Sequence, residues 1–438
     1  MTNTEHSYST SIIFVEPRYW PDEGERQAAI EAVRQAISSV HDQSGTSLRT
    51  MTVQSEEDLD ALRSSPAGVL GIFTPMSGAV QPWMLKAAGQ FRAVAICGAY
   101  VDGFLPEHTG KLLLERNAAP AATDVFSVLK RDDRSVSFIR TLDSLAALRR
   151  AVHAVGRLNQ SRVLQIGSTE PWVISSSRDL GVFAARLGME IRQIDLKELY
   201  DVYYRTSEAE AKAIARDWVG RASAVVEPRE DHVVSACRVT LAFRNLLATY
   251  KAEAVAIACF TLLNELGTTS CLALSELNTD PVFVGTCEGD LDAAATMILM
   301  KVLSGDAPWM GNPVVGQDNT IRLVHCTAPR SVRHERMPYA LRSHHESGIG
   351  VSPEVELPVG EPVTLCRIGN SATAMSVFVG TAVDNPREPT CRTQLKISLP
   401  SVERFLQHAL GNHQVLSYGD FSEPLRYVAD ILRLIHLN

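Results

Sequence analysis

The chain has 438 residues, 45% of them hydrophobic and 21% charged, with a formal net charge of -8. That length accommodates roughly three domains at ~150 residues each, and the composition is ordinary for a globular protein. The acidic balance, with no long basic run and no apolar stretch approaching ~20 residues, argues against nucleic acid and membrane as partners.

The N-terminal residues MTNTEHSYSTSIIFVEP lack a basic stretch, and their apolar run is too short for a secretory signal. The eight cysteines are scattered, with no CxxC pair, and Cys97, Cys259 and Cys366 sit inside apolar runs. That pattern predicts buried thiols in a reducing cytoplasm rather than a disulfide scaffold.

In chain order, residues 11–15 (SIIFV) read as a strand and 25–40 as a helix with Ile30, Val33, Ile37 and Val40 on one face. Strands follow at 68–73 and 93–97, with a helix at 82–90 that carries Pro82 in its first turn. This alternation predicts a doubly wound domain over 1–157, with Glu16, Arg18, Thr74 and Gly98 in the loops after its strands. The pattern at 142–155 predicts the helix leading out.

A second domain of the same kind is expected over 158–305. Residues 162–166 form its first strand and Gly167-Ser168-Thr169-Glu170-Pro171-Trp172 the loop after it. Ser175–Ser177 and Asp179 can cap a helix to Leu187, which Gly188 ends. A strand at 190–194, helices at 207–222 and 231–250, and strands at 254–260 and 282–284 follow. From 306 to 438 short alternating runs at 320–326, 363–368 and 376–383, punctuated by Pro and Gly, predict a β-rich domain. A helix at 402–410, a strand at 415–418 and a last helix at 424–434 complete it. Residues 329–338 read as a loop with a basic bias. The fold class is therefore α/β: two doubly wound (Rossmann-like) domains, then a β-rich C-terminal domain.

The chain is organised around residues 282–304, VFVGTCEGDLDAAATMILMKVLS. Val282–Val284 reads as a strand ending at Gly285, and the helix after it would bury Ala294, Met297, Ile298 and Val302. Between them Glu288 stands beyond the carboxyl end of a parallel strand, where open sheets bind ligands. Asp290 opens the helix as a cap. On the residues alone, Glu288 can equally be a turn carboxylate near a helix N-terminus.

Cys271-Leu272-Ala273-Leu274-Ser275, Asn278, Cys287-Glu288-Gly289-Asp290 and His325-Cys326 together resemble the L-fucose/L-arabinose isomerase superfamily, most closely its fucose-isomerase-like branch. The Gly167–Trp172 loop, His413 ahead of Tyr418-Gly419-Asp420, and Ser343-His344-His345-Glu346-Ser347-Gly348 resemble strings of the same branch. The resemblance is firm over about 161–330 and thin in the first 150 residues.

The resemblance implies a ketol-isomerase or epimerase acting on a sugar or sugar-like polyol. Such chemistry needs a base beside a carbon-bound proton and a cation to stabilise enediolate oxygens, Mn²⁺ or another divalent ion. It implies Glu288, His413 and His325 as metal ligands, and Glu288 as the proton-exchanging carboxylate. It implies His345 and Trp172 at the substrate. Arg330, with Arg333 and Arg336 in the basic 329–338 loop, is by its charge a candidate to bind an acidic substituent on a substrate, or else part of a solvated basic loop. The resemblance also implies a cytoplasmic homo-oligomer, a trimer or hexamer, with the site between the second and third domains. Where the branch has its second catalytic carboxylate, this chain has Asn312. An amide oxygen can coordinate a cation but cannot act as a base. Asp306, Asp318 and Asp290 are candidates to compensate. The alternative is a divergent relative that kept the scaffold, lost the isomerase chemistry, and either runs another reaction on a polar metabolite or only binds one. His325, His413 and the 343–348 turn also admit plain structural readings, as hydrogen-bonded or solvated loop residues. No GxGxxG, Walker, GxSxG or HExxH motif is present.

Overall fold

The computed structural model describes residues 10–17, 20–40, 48–64, 69–98, 100–101 and 103–438. The N-terminal nine residues, Arg18 and Gly68 lie outside them. The chain divides into two compact units, the first formed by residues 1–156 with 426–433 and the second by residues 157–425 with 434–438.

The first unit holds a parallel sheet of strands β1 (Thr10–Val15), β2 (Leu48–Val53), β3 (Leu70–Pro75), β4 (Ala93–Cys97) and β5 (Val136–Ile139). Their order, β2-β1-β3-β4-β5, is a doubly wound one. Strands β1, β3 and β4 are buried along their whole length, as parallel strands covered on both faces must be. Strand β2 was not legible because it is an edge strand whose residues are mostly half-exposed and polar.

The second unit holds β6 (Arg162–Ile166), β7 (Glu190–Ile194), β8 (Ala224–Val225), β9 (Ala254–Ile257) and β10 (Val284–Thr286). Strands β10-β9-β6-β7 form a parallel sheet in that order, so the winding reverses between β6 and β9. Its helices begin where the sequence caps them: Asp195 accepts from Lys197 N, Ser207 from Glu210 N, and Asp290 from Ala293 N.

Two strands differ from expectation for local reasons. The strand expected at 254–260 stops at Ile257, because the Glu170 carboxylate accepts from Phe260 N and Thr261 N and so opens a helix at Cys259–Leu266. The strand expected at 282–284 instead runs Val284–Thr286. Asp280 Oδ1 accepts from Val282 N and Phe283 N, which makes that stretch a turn and leaves Val282 exposed.

The β-rich part contains β11 (Trp309–Val315), β12 (Thr320–His325), β13 (Ser331–Val332), β14 (Glu335–Arg336), β15 (Tyr339–Arg342), β16 (Ser352–Val355), β17 (Pro362–Gly369), β18 (Ala374–Asp384), β19 (Thr393–Ser398), β20 (Gln414–Tyr418) and β21 (Ile435–Leu437). Strands β17-β20-β11-β12-β19-β18 pair antiparallel in that order, and β17 pairs again with β18. This closes a barrel, and closure removes the exposed edges. Strand β21 adds parallel to β18. The expected basic loop at 329–338 is a tight β13–β14 hairpin, with Arg333 and His334 both at positive φ as such a turn requires.

The helix Leu291–Ser304 packs against β9 and β10 of the parallel sheet and against β17 and β20 of the barrel. It is therefore buried nearly all round, rather than on the one face first expected, and Val302 is among its less buried residues. Its buried polar residues all find partners. Asp292 accepts from Ser177 N and Oγ, Thr296 Oγ1 accepts from Ile368 N, and Lys301 donates to the carbonyls of Asn278, Asp280 and Phe283.

Candidate metal centre

The loops after β6, β9 and β10 meet beyond the carboxyl ends of the second sheet, at its reversal point. In the turn after β10, Glu288 has φ +58° and Gly289 has φ +65°. A left-handed backbone costs a non-glycine residue roughly 1–2 kcal/mol, and here it is held from both sides. Glu288 O accepts from Glu170 N at 3.0 Å, and Gly289 N donates to Ile257 O at 2.8 Å. A Cβ at Gly289 would stand 2.6 Å from Ser168 O, so only glycine fits. The loop after β6 thus clamps the Glu288 turn, and Trp172 at its end donates Nε1–H to Glu288 Oε2 at 2.8 Å.

The barrel supplies two histidines. His325 is the last residue of β12, and His413 immediately precedes β20. Glu288, His325 and His413 are all buried, and their candidate ligand atoms lie within 4.8 Å of one another. His325 Nδ1 is 3.0 Å from Thr327 Oγ1, which leaves Nε2 as its free donor atom. His413 Nδ1 lies 2.8 Å from Asp290 Oδ2. Asp290 also accepts from Arg367 Nη1 at 2.9 Å, and Arg367 donates further to His413 O and Ser176 Oγ. Arg367, Asp290 and His413 are fully buried.

Each charge state follows from its neighbours. Burial pushes the Asp290 carboxyl up, but Arg367 and His413 outweigh it and hold it well below the usual range. Burial likewise opposes ionisation of Glu288, and the contacts with His413, His325 and Trp172 leave it below its ordinary value. His325 is pushed down to about 3, first by burial and then by His413, so it is neutral and able to ligate. For His413 burial lowers the value, and the two carboxylates beside it raise it above the usual one.

His413 Nε2 is the group that decides whether these residues suit a cation. It is buried, lies 3.4 Å from Glu288 Oε1, and has no partner in hydrogen-bond geometry among the described residues. A buried orphan nitrogen is costly unless something else meets it. One carboxylate and two imidazoles converging on one point fit a first-row divalent cation.

The centre opens into a cleft of about 590 Å³ counted with its mouth. Asn312, on β11, lines it, and its Oδ1 accepts from Asn412 Nδ2 at 3.2 Å, next to His413. His344, His345 and Glu346 line it as well, on a tight turn closed by His344 N to Ile349 O and Gly348 N to His344 O. Trp172, Phe260 and His344 form an edge-to-face aromatic series with centroids 5.1 and 5.5 Å apart.

Arg330 is placed elsewhere. It pairs with Asp217 at 2.9 Å and Glu276 at 2.7 Å, lies over the Trp218 ring, and is absent from the cleft lining. Of the three acids considered as compensation for Asn312, only Asp290 reaches the centre, through His413 and not through the cleft. Asp306 accepts from Arg333 N and Asp318 pairs with Lys396.

Sequence reasoning missed Arg367, Thr327, Glu170 and Asp292 as supports of the centre. Arg367 had a signal: an arginine inside the apolar run Val363–Ile368 must be paired if that strand is buried.

No family model matches the chain. The chain is 26% identical over 405 residues to a sulfoquinovose isomerase of Alkalicoccus urumqiensis, covering 87% of this chain and 88% of that protein. It is 22% identical over 295 residues to the sulfoquinovose isomerase of Priestia aryabhattai, covering 63% of this chain and 64% of that one. A sulfoquinovose isomerase of a Clostridium species is 26% identical over 263 residues, 56% of this chain and 58% of the relative. Along most of its length the chain is therefore similar to proteins named as sugar isomerases.

Proposed function

We propose that this protein is a metal-dependent aldose–ketose isomerase, acting on a sugar through an enediolate. The observation that carries the reading is the convergence of Glu288, His325 and His413, with no described residue in hydrogen-bond geometry to His413 Nε2, in a chain similar to sugar isomerases over most of its length. Mn²⁺ or another divalent cation, held by those three residues, would supply Lewis-acid stabilisation of the enediolate oxygens.

The protein's own groups divide the remaining work. The reaction removes the proton on C2 of the aldose and returns one to C1, so the electrons stay within the sugar. Glu288 and Glu346 are the carboxylates of the cleft lining, and Glu288 is the buried one beside the histidines. We assign the proton exchange to Glu288. Against burial, His413 and His325 favour its ionised form, and the Trp172 bond to Oε2 adds to that and fixes the carboxylate. Asn312, which cannot take a proton, orients substrate oxygen through its amide. His345, in the cleft lining, contacts sugar hydroxyls, and Trp172, outside the lining, acts from behind it through Glu288 and Phe260. The names of the relatives make sulfoquinovose, a sulfonated aldose, the first substrate to try.

The test is to strip the protein with chelator, reload it with Mn²⁺, and incubate it in D₂O with sulfoquinovose and a panel of neutral aldoses. Ketose formation with deuterium entering the adjacent carbons, lost on removal of the metal, is the expected outcome. Binding of metal with no exchange or ketose in any case would overturn the reading.

A further inference from the structure

Five cysteines line the cleft: Cys259, Cys271, Cys287, Cys326 and Cys391. Two of them touch. Cys287 Sγ lies 2.9 Å from Cys259 Sγ, against ~2.05 Å in a formed disulfide. The fold brings them together from separate loops. Cys259 opens the helix that Glu170 caps, and Cys287 sits in the turn that Glu170 N and Ile257 O clamp. Both donors near Cys259 point at its sulfur, the Cys287 S–H and the Glu288 N–H at 3.4 Å. Both sulfurs face a cleft open to small solutes, although their residues are only 7% and 5% exposed.

We propose that Cys259 and Cys287 are a redox modification site, forming a reversible disulfide when hydrogen peroxide enters the cleft. Peroxide transfers one oxygen to Cys259 Sγ, giving a sulfenic acid and one water. The Cys287 sulfur then attacks that sulfur. The S–S bond forms, the S–OH bond breaks, and the hydroxyl leaves with the Cys287 proton as a second water. Two thiols lose two hydrogens, and the peroxide is reduced. No large movement is required, because the sulfurs already touch.

The bond would have a consequence at the centre. Cys287 precedes Glu288, and Cys259 Sγ contacts the Glu288 amide. Drawing the sulfurs together moves the residue that sets the Glu288 backbone, so the oxidised protein binds divalent cation at least ten-fold more weakly and thiol reductant restores it. That consequence rests on the function proposed above. The cross-link does not.

The test uses the whole protein and a covalent readout. Wild-type protein is treated with stoichiometric peroxide, alkylated under denaturing conditions and digested with an enzyme that cuts after glutamate. Cleavage after Glu265 and Glu276 separates the peptides carrying Cys259, Cys271 and Cys287. A Cys259–Cys287 linked peptide that disappears with dithiothreitol is the expected result. It should be absent from Cys287→Ser, checked for folding by circular dichroism, and the wild-type map stands even if that variant fails to fold. A different pair linked first, such as Cys326–Cys391, overturns the proposal. So does alkylation or over-oxidation of both Cys259 and Cys287 with no link between them.

Discussion

His413 Nδ1 lies 2.8 Å from Asp290 Oδ2, and the same carboxylate receives Arg367 Nη1 at 2.9 Å. Asp290 is ionised and can only accept, so Nδ1 carries the proton and Nε2 is left as the ligand. Asp290→Asn keeps the shape and removes the charge. It is expected to weaken Mn²⁺ binding roughly 10- to 100-fold, read by calorimetry. Arg367→Met leaves Asp290 buried without its partner and should cost about 3–5 kcal/mol of stability in urea denaturation. Unchanged metal affinity in Asp290→Asn would mean that His413 is not a ligand.

Trp172 offers a separate probe, because its ring is about half exposed while its Nε1–H holds Glu288. Trp172→Phe keeps the packing against Phe260 and deletes one hydrogen bond to a carboxylate, worth about 1.5–3 kcal/mol. The expected loss is roughly ten- to hundred-fold in kcat/KM, with the melting temperature lowered by no more than a few degrees. A variant with full activity would remove Trp172 from the mechanism.

Much of this centre can be read in the sequence, and what cannot be read has a physical reason. Glu288, Asp290 and the helix after them are legible because strand, turn and cap are local features. His325 and His413 are legible only as histidines at strand ends. Their convergence depends on closure of the barrel, in which β12 and β20 flank β11. Arg367 and Asp290 are 77 positions apart, so no local pattern connects them. Arg330 shows the converse: a basic bias in a short loop suggested an anion site, whereas Asp217, Glu276 and Trp218, distant in sequence, absorb its charge. In the first unit the buried strands β1 and β4 read clearly, while edge strand β2 did not, because its pattern is polar.

Asn312 sits in the cleft where the resembled branch has an acid. With the remaining donors in place, Asn312→Asp adds a charged oxygen beside them. Its expected effect is a rise in Mn²⁺ affinity of at least ten-fold, about 1.4 kcal/mol. Unaltered affinity would show that Asn312 lies outside the reach of the cation.

Asp292 makes stability depend on pH. Burial first, then Asp290, raise its carboxyl to about 6, against an unfolded value near 3.8. The folded state therefore holds a proton that the unfolded state has released between those values, and stability falls as pH rises through that window. The loss approaches about 3 kcal/mol as an upper bound. Asp292→Asn should become more stable relative to wild type as pH goes from 4 to 6, followed by urea midpoints. A constant difference across that range would refute the assignment.

The most direct test of the account is calorimetric titration of Mn²⁺ into the chelator-stripped wild-type protein, repeated on His413→Ala. The account predicts micromolar binding at one site per chain in the wild type and at least a hundred-fold loss in the variant, on the scale of removing one directly coordinating group. No binding in the wild type, or equal binding in both, would contradict it.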